Sequence, residues 1–185
     1  MQRVGTNGRK RITLNVIFIA LAIVLLFLDQ ITKHHFSKSI PLGEKQPVID
    51  GFFYFTYTIN TGAAWSFLHD VSWAQTFFKI LTIVALIVFI VFYIYAIKKD
   101  YKWLRVAIAF ALSGTIGNFI DRLAIGGVID FIGFTFGTYN FPVFNLADSF
   151  LVVGVIMLII HFLFIDSGAI FKKRKKDADK DLSNN

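Results

Sequence analysis

The sequence predicts an all-α integral membrane protein: four transmembrane helices with a small extracytoplasmic β-sheet on the membrane surface. Three observations predict it. The 185 residues are 56% hydrophobic and 17% charged, whereas ordinary soluble domains carry about 25% charged residues. Four uncharged runs recur along the chain, each near the length that crosses a bilayer. Between the first two lies an aromatic, β-branched stretch, Phe52 to Ile59, with Pro47 and Gly51 before it and Asn60-Thr61-Gly62 after it, which reads as a strand turning back on itself.

In chain order, residues 1–11 form a polar arm with Arg3, Arg9, Lys10 and Arg11. Ile12 to Leu28 is the first apolar run. It exceeds a typical signal-peptide core, and DQITKHHF stands where a small-residue cleavage site belongs, so it reads as a retained helix. Residues 29–79 are taken as a segment outside the membrane. Ile80 to Ile97 is the second run, and the basic loop KKDYKWLR follows. Val106 to Ile120 is the third, and Ser149 to Ile165, broken only by His161, is the fourth. Residues 166–185 form a charged tail ending FKKRKKDADKDLSNN, a composition expected to stay unfolded. Nothing repeats, so residues 12–165 make one four-helix domain.

Orientation follows from basic residues. With the N-terminus in the cytoplasm, inside segments hold 14 Lys and Arg and outside segments hold five, namely Lys33, Lys38, Lys45, Lys79 and Arg122. Both termini are therefore expected inside, and residues 29–79 and 121–148 outside. The net charge of +7 is then a topology and headgroup signal, and no nucleic-acid partner is expected. The absence of cysteine excludes disulfides, thiolate catalysis and iron–sulfur chemistry.

Polar residues crowd the ends of the third and fourth runs, where Asn118, Asp121, Arg122, Asp130, Asn145 and Asp148 lie. Ionisable groups at membrane depth are costly and mark function. Arg105 to Asn118 rises about 20 Å as a helix, short of the roughly 30 Å hydrocarbon core, so the cluster should lie below the outer interface. Singly, each residue has an ordinary reading. Asp148 is an N-cap or first-turn acid, and Asp130, after Gly126-Gly127, is a turn residue. Ser113, Gly114 and Gly117 mark close helix packing. Their convergence is what scattered loop residues do not predict. Asn118, Asp121 and Arg122 share one helix face, and Asn145 stands three before Asp148.

Other polar residues carry less. Asp29 ends the first apolar run, where the helix dipole disfavours an anion, and Lys33, four residues on, is its partner. His161 is about 20 Å along its helix from Asp148 and reads as a satisfied polar residue of the bundle. His34, His35 and His69 have no metal-site spacing, and Ser66 lacks a positioned base.

DQITK (29–33), NTGAAWS (60–66), GNFIDR (117–122), GGVIDF (126–131) and FNLADS (144–149) resemble, in order, the motifs of the lipoprotein signal peptidase (signal peptidase II) family across roughly residues 12 to 165. The resemblance implies an aspartic endopeptidase of the bacterial cytoplasmic membrane. Its partners would be lipid-modified prolipoproteins and membrane lipids, with no oligomer required. Cleavage would fall before the diacylglyceryl-cysteine, with Asp130 and Asp148 as the catalytic pair. Asn60, Asn118, Asp121, Arg122 and Asn145 would shape the site or hold substrate, and Asp29 and Lys33 would give structural support. Trp65 departs from the usual Phe, and the tail falls outside the resemblance. Two carboxyls sharing a proton can activate water and polarise a carbonyl, so no metal or organic cofactor is required. A proton-coupled transporter using buried aspartates is the alternative, although the acids cluster at one end and no inverted repeat is visible. A structural assembly protein would not need the cluster.

Overall fold

A computed structural model describes residues 3–62 and 73–166. Trp65, Ser66, His69 and the charged tail from Ser167 onward lie outside the described residues. Helix α1 spans Arg3–Ser39, α2 Ala74–Lys99, α3 Lys102–Ala124 and α4 Leu146–Ile160, which runs on into a π-helical turn at His161–Ile165. Among the described residues these give four helices long and apolar enough to cross a membrane.

The least apolar helix, α3, is the most buried. It packs against each of the other three, whose apolar side chains face largely outward, as they do when lipid is the solvent. Small residues make this possible. A Cβ on Gly114 would lie 2.2 Å from the Ala147 carbonyl oxygen of α4, so the two backbones touch where only glycine fits. Gly154 repeats the contact a few turns away, against Ala111 and Ala107. The small-residue pattern at 113–117 therefore marks the α3–α4 seam. At the far end, Tyr95 and Tyr101 both donate to Asp166, at 2.5 and 3.2 Å, tying α2 and the start of α3 to the end of α4.

The sheet is antiparallel in the order β1 (Lys45–Ile49), β2 (Phe53–Asn60), β3 (Val128–Phe136) and β4 (Tyr139–Asn140). Phe36 near the end of α1 stacks on Phe55 of β2 and Phe131 of β3, with ring centroids 4.4 and 4.6 Å apart. These rings hold the sheet against the helices. Thr58 pairs with Asp130 across β2 and β3.

Several expectations are corrected. Helix α1 does not end at Asp29 but continues to Ser39, because Asp29 and Lys33 neutralise each other inside it. Helix α2 begins at Ala74, so Lys79 is helical and residues 29–79 are not all outside a helix. The strand expected at Phe52 to Ile59 forms as Phe53–Asn60, but it doubles back before itself, through Gly51 at φ +69° into β1. Asp130 lies in a nine-residue strand and not in a turn. His161 is fully buried, yet neither ring nitrogen has a hydrogen-bond partner among the described residues. It packs edge-on against Tyr101, with centroids 4.7 Å apart, so it is enclosed without being satisfied.

Gly114→Ala should separate α3 from α4 and cost about 1–3 kcal/mol, the usual penalty of overpacking. Thermal unfolding in detergent would read this as a lowered midpoint, and an unchanged midpoint would contradict the seam.

Candidate active site

Two acids from different elements meet at the end of the bundle where α1, α3, α4 and the sheet converge. Asp130 is carried by β3, which starts close to β2 because residue 127 is glycine; a Cβ there would lie 2.6 Å from Ile59 Cγ2. Asp148 stands in the first turn of α4. It is not the N-cap. That position belongs to Asn145, whose side chain accepts from the Asp148 N–H at 2.9 Å while Asp148 Oδ2 accepts from the Asn145 N–H at 3.2 Å. This reciprocal capping box fixes both residues against one helix end.

Asparagines connect the acids. Asn145, fully buried, donates from Nδ2 to Asp130 Oδ1 at 2.7 Å and lies 3.1 Å from Asn118 Oδ1. Asn118 in turn donates to Asp148 Oδ1 at 2.7 Å. Asn60, at the end of β2, donates to Asp130 Oδ2 at 3.0 Å while its own oxygen accepts from the Gly62 N–H. Each carboxyl thus has its orientation set by an amide that is itself held.

Behind this layer lies a buried cation. Lys33 Nζ is 2.9 Å from Asp29 Oδ2, 2.9 Å from Asp121 Oδ2 and 3.0 Å from Asn118 Oδ1. Both acids make further contacts. Asp29 Oδ1 accepts the Ala147 N–H of α4, and Asp121 Oδ2, besides facing Lys33, accepts the Ile129 N–H of β3. Gln30 spans Asp29, the Gly117 carbonyl and Asp121. Asp121 therefore turns away from the cavity, toward Lys33.

A cavity of about 790 Å³ opens in front of the pair, lined at its polar end by Asn60, Asn118, Arg122, Asp130 and Asp148. Leu81, Val152 and Val153 also line it and are exposed on the apolar surface, so it opens sideways between α2 and α4. Arg122 lies over the Phe78 ring at 5.3 Å, and its Nε has no partner among the described residues. Burial raises the Asp130 carboxyl to about 7, and the neighbouring Asp148 charge adds to the rise. The Asn60 and Asn145 amides and the Lys33 charge oppose it.

All nine singled-out residues, Asp29, Lys33, Asn60, Asn118, Asp121, Arg122, Asp130, Asn145 and Asp148, meet here. Sequence reasoning missed Gln30, whose signal was its place inside DQITK, and the reach of Lys33 beyond Asp29.

Residues 21–164 match the family model described as signal peptidase (SPase) II. The chain belongs to the signal peptidase II family. A lipoprotein signal peptidase of Bacillus pumilus (strain SAFR-032) is 47% identical over 146 residues, covering 79% of this chain and 92% of that protein. One of Bacillus subtilis (strain 168) is 43% identical over 162 residues, covering 88% and 99%. A solved structure described as a bacterial membrane enzyme, at 2.3 Å resolution, superposes with TM-score 0.68 at 39% identity, covering 80% of this chain and 87% of that one. As a signal peptidase II, the chain is a membrane peptidase that removes signal peptides from lipoproteins.

Lys33→Met should leave two buried carboxylates facing each other and cost about 3–5 kcal/mol, the penalty for breaking a buried ion pair. Neutralising Asp29 and Asp121 as asparagines in the same background should recover part of that. Unfolding in detergent measures both steps, and a Lys33→Met protein as stable as the parent would show that the cation holds nothing together.

Proposed function

We propose that the protein is an aspartic endopeptidase that cleaves lipid-modified prolipoproteins immediately before the diacylglyceryl-cysteine, with Asp130 and Asp148 as the catalytic pair. The observation that carries the reading is the placement of both carboxyls on one cavity, each oriented by a separate buried asparagine. The cavity's sideways opening suits a substrate that arrives within the bilayer.

The pair holds one proton at working pH. The ionised carboxylate takes a proton from a water whose oxygen attacks the scissile carbonyl carbon, while the protonated carboxyl donates to the carbonyl oxygen. The tetrahedral species then collapses. A proton passes to the departing nitrogen, the C–N bond breaks, and the signal peptide leaves as a carboxylate while the lipidated cysteine gains a free amine. Which carboxyl acts at each step is a property of the coupled pair. Arg122 and Asn60 hold the substrate backbone, Asn118 and Asn145 fix the carboxyl planes, and Asp29, Lys33 and Asp121 brace them. The site faces the extracytoplasmic side, with both termini in the cytoplasm. Four basic residues flank the turn between α2 and α3, Lys98 and Lys99 before it and Lys102 and Arg105 after it, and its one acid, Asp100, is paired with Arg105 at 2.6 Å; this excess supports that orientation.

Asp130→Asn and Asp148→Asn should each abolish cleavage of a diacylglyceryl-modified prolipoprotein by purified protein in detergent, and the double variant should be little worse than either. Folding should persist, because asparagine at 148 keeps an oxygen for the Asn145 N–H. In the parent, activity should fall as pH rises through about 7, where Asp130 loses the shared proton. Substantial turnover by either single variant would return both acids to structural roles.

A further inference from the structure

Part of the cavity wall is irregular main chain. Residues 141–144 line it while belonging to none of the helices or strands named above. Phe144 is pinned to β3 through both its backbone groups. Its N–H donates to the Ile132 carbonyl at 3.1 Å, and its carbonyl accepts from the Ile132 N–H at 2.8 Å. Planar trans peptides then aim the neighbouring groups, because the C=O of one residue and the N–H of the next point opposite ways. The Val143 carbonyl, opposed to the Phe144 N–H, points away from β3. The Asn145 N–H, opposed to the Phe144 carbonyl, points away from β3 as well, and it meets Asp148 Oδ2 at 3.2 Å. Both groups therefore lie on the edge that faces Asp148. Val143 is half-buried and lines the cavity with Asp148 and Asp130, yet its carbonyl accepts no hydrogen bond among the described residues. Shielded backbone carbonyls in folded proteins are nearly always paired.

The reaction decides what could pair with it. A signal peptide within lipid is helical, with its main-chain groups bonded internally. To bring one peptide bond between two carboxyls the helix must unwind there, which frees N–H groups away from bulk water. An unwound strand laid along an open main-chain edge recovers those bonds. We propose that the Val143 carbonyl is a main-chain docking point for the substrate, accepting an N–H from an extended residue close to the scissile bond; this rests on the reading of the function given above. Val143 and Asn145, whose N–H meets Asp148, are about 7 Å apart along an extended chain, so the donor lies within three residues of the cleavage point. The contact reads the extended backbone and not a side chain.

The test changes the substrate and leaves the protein's fold alone. A diacylglyceryl-cysteine peptide is compared with versions in which one amide at a time becomes an ester, at each position within three residues of the scissile bond except that bond itself. An ester lacks the N–H and keeps the shape of the chain. With purified protein in detergent, one of these esters should raise KM about tenfold, the worth of one hydrogen bond whose acceptor is left unpaired. Its kcat should change little, because the lost contact is made equally before and during reaction. In a structure of the Asp130→Asn protein with the all-amide peptide bound, the nitrogen of that same residue should lie within about 3.2 Å of the Val143 oxygen. The proposal is overturned if every ester is bound like the all-amide peptide. It is equally overturned if the bound peptide places no nitrogen within about 3.5 Å of the Val143 oxygen, or places there one whose ester leaves KM unchanged. Failure of the underlying reading looks different, since the parent would then not cleave the all-amide peptide or Asp130→Asn would still cleave it.

Discussion

The rest of the site depends on the Lys33 ammonium, 1% exposed and held between two carboxylates. A lone cation at this depth would be prohibitively costly. Its cost is offset because Asp29 and Asp121 face it directly and because every remaining oxygen of those acids finds a donor. The donors come from other elements: Asp29 Oδ1 takes the Ala147 N–H of α4 and Asp121 Oδ1 the Gln30 amide of α1, while the Ile129 N–H of β3 adds to Asp121 Oδ2. One charge cluster therefore fixes where three helices and the sheet meet. Buried ion networks are poor sources of net stability but define geometry when fully satisfied.

From that point the geometry passes outward through amides. Asn118 accepts from Lys33 and donates to Asp148, while Asn145 bridges toward Asp130. Asparagine suits this position because one side chain both accepts and donates without charge. Aspartate would add a third anion, and glutamine would lengthen the reach. Asp148 also shows that the ordinary and the chemical readings of a residue need not compete. It completes the capping box of α4 and presents its other oxygen to Asn118, so the helix start that stabilises it also aims it.

Much of this was legible in the sequence, for physical reasons. Apolar runs must be long to cross lipid, so all four spans were visible, and β2 announced itself through aromatic and β-branched residues between turn signals. Ser113, Gly114 and Gly117 marked the seam because backbones approach closely only over small side chains. The end of α1 was misread because polarity at Asp29 to Lys33 looks like a boundary until the partner for Lys33 on α3 is known. Strand β3 was hidden behind Gly126-Gly127, which read as a loop, although its pairing with β2 supplies the Asp130 position. The Asn118–Asn145 link joins residues 27 positions apart, and no local pattern encodes it. His161 shows the same limit, since enclosure was readable and the absence of a partner was not.

The central claim is that Asp130 and Asp148 hold one proton between them, and infrared spectroscopy of the parent protein measures it directly. With aspartates isotopically labelled at the side-chain carboxyl, the account predicts a protonated-carboxyl band at about pH 6. Ordinary aspartates are ionised there, and the band should fade as pH rises through about 7, the value at which Asp130 loses its proton. No protonated band at about pH 6, or one that persists unchanged in the Asp130→Asn, Asp148→Asn double variant, would contradict the account.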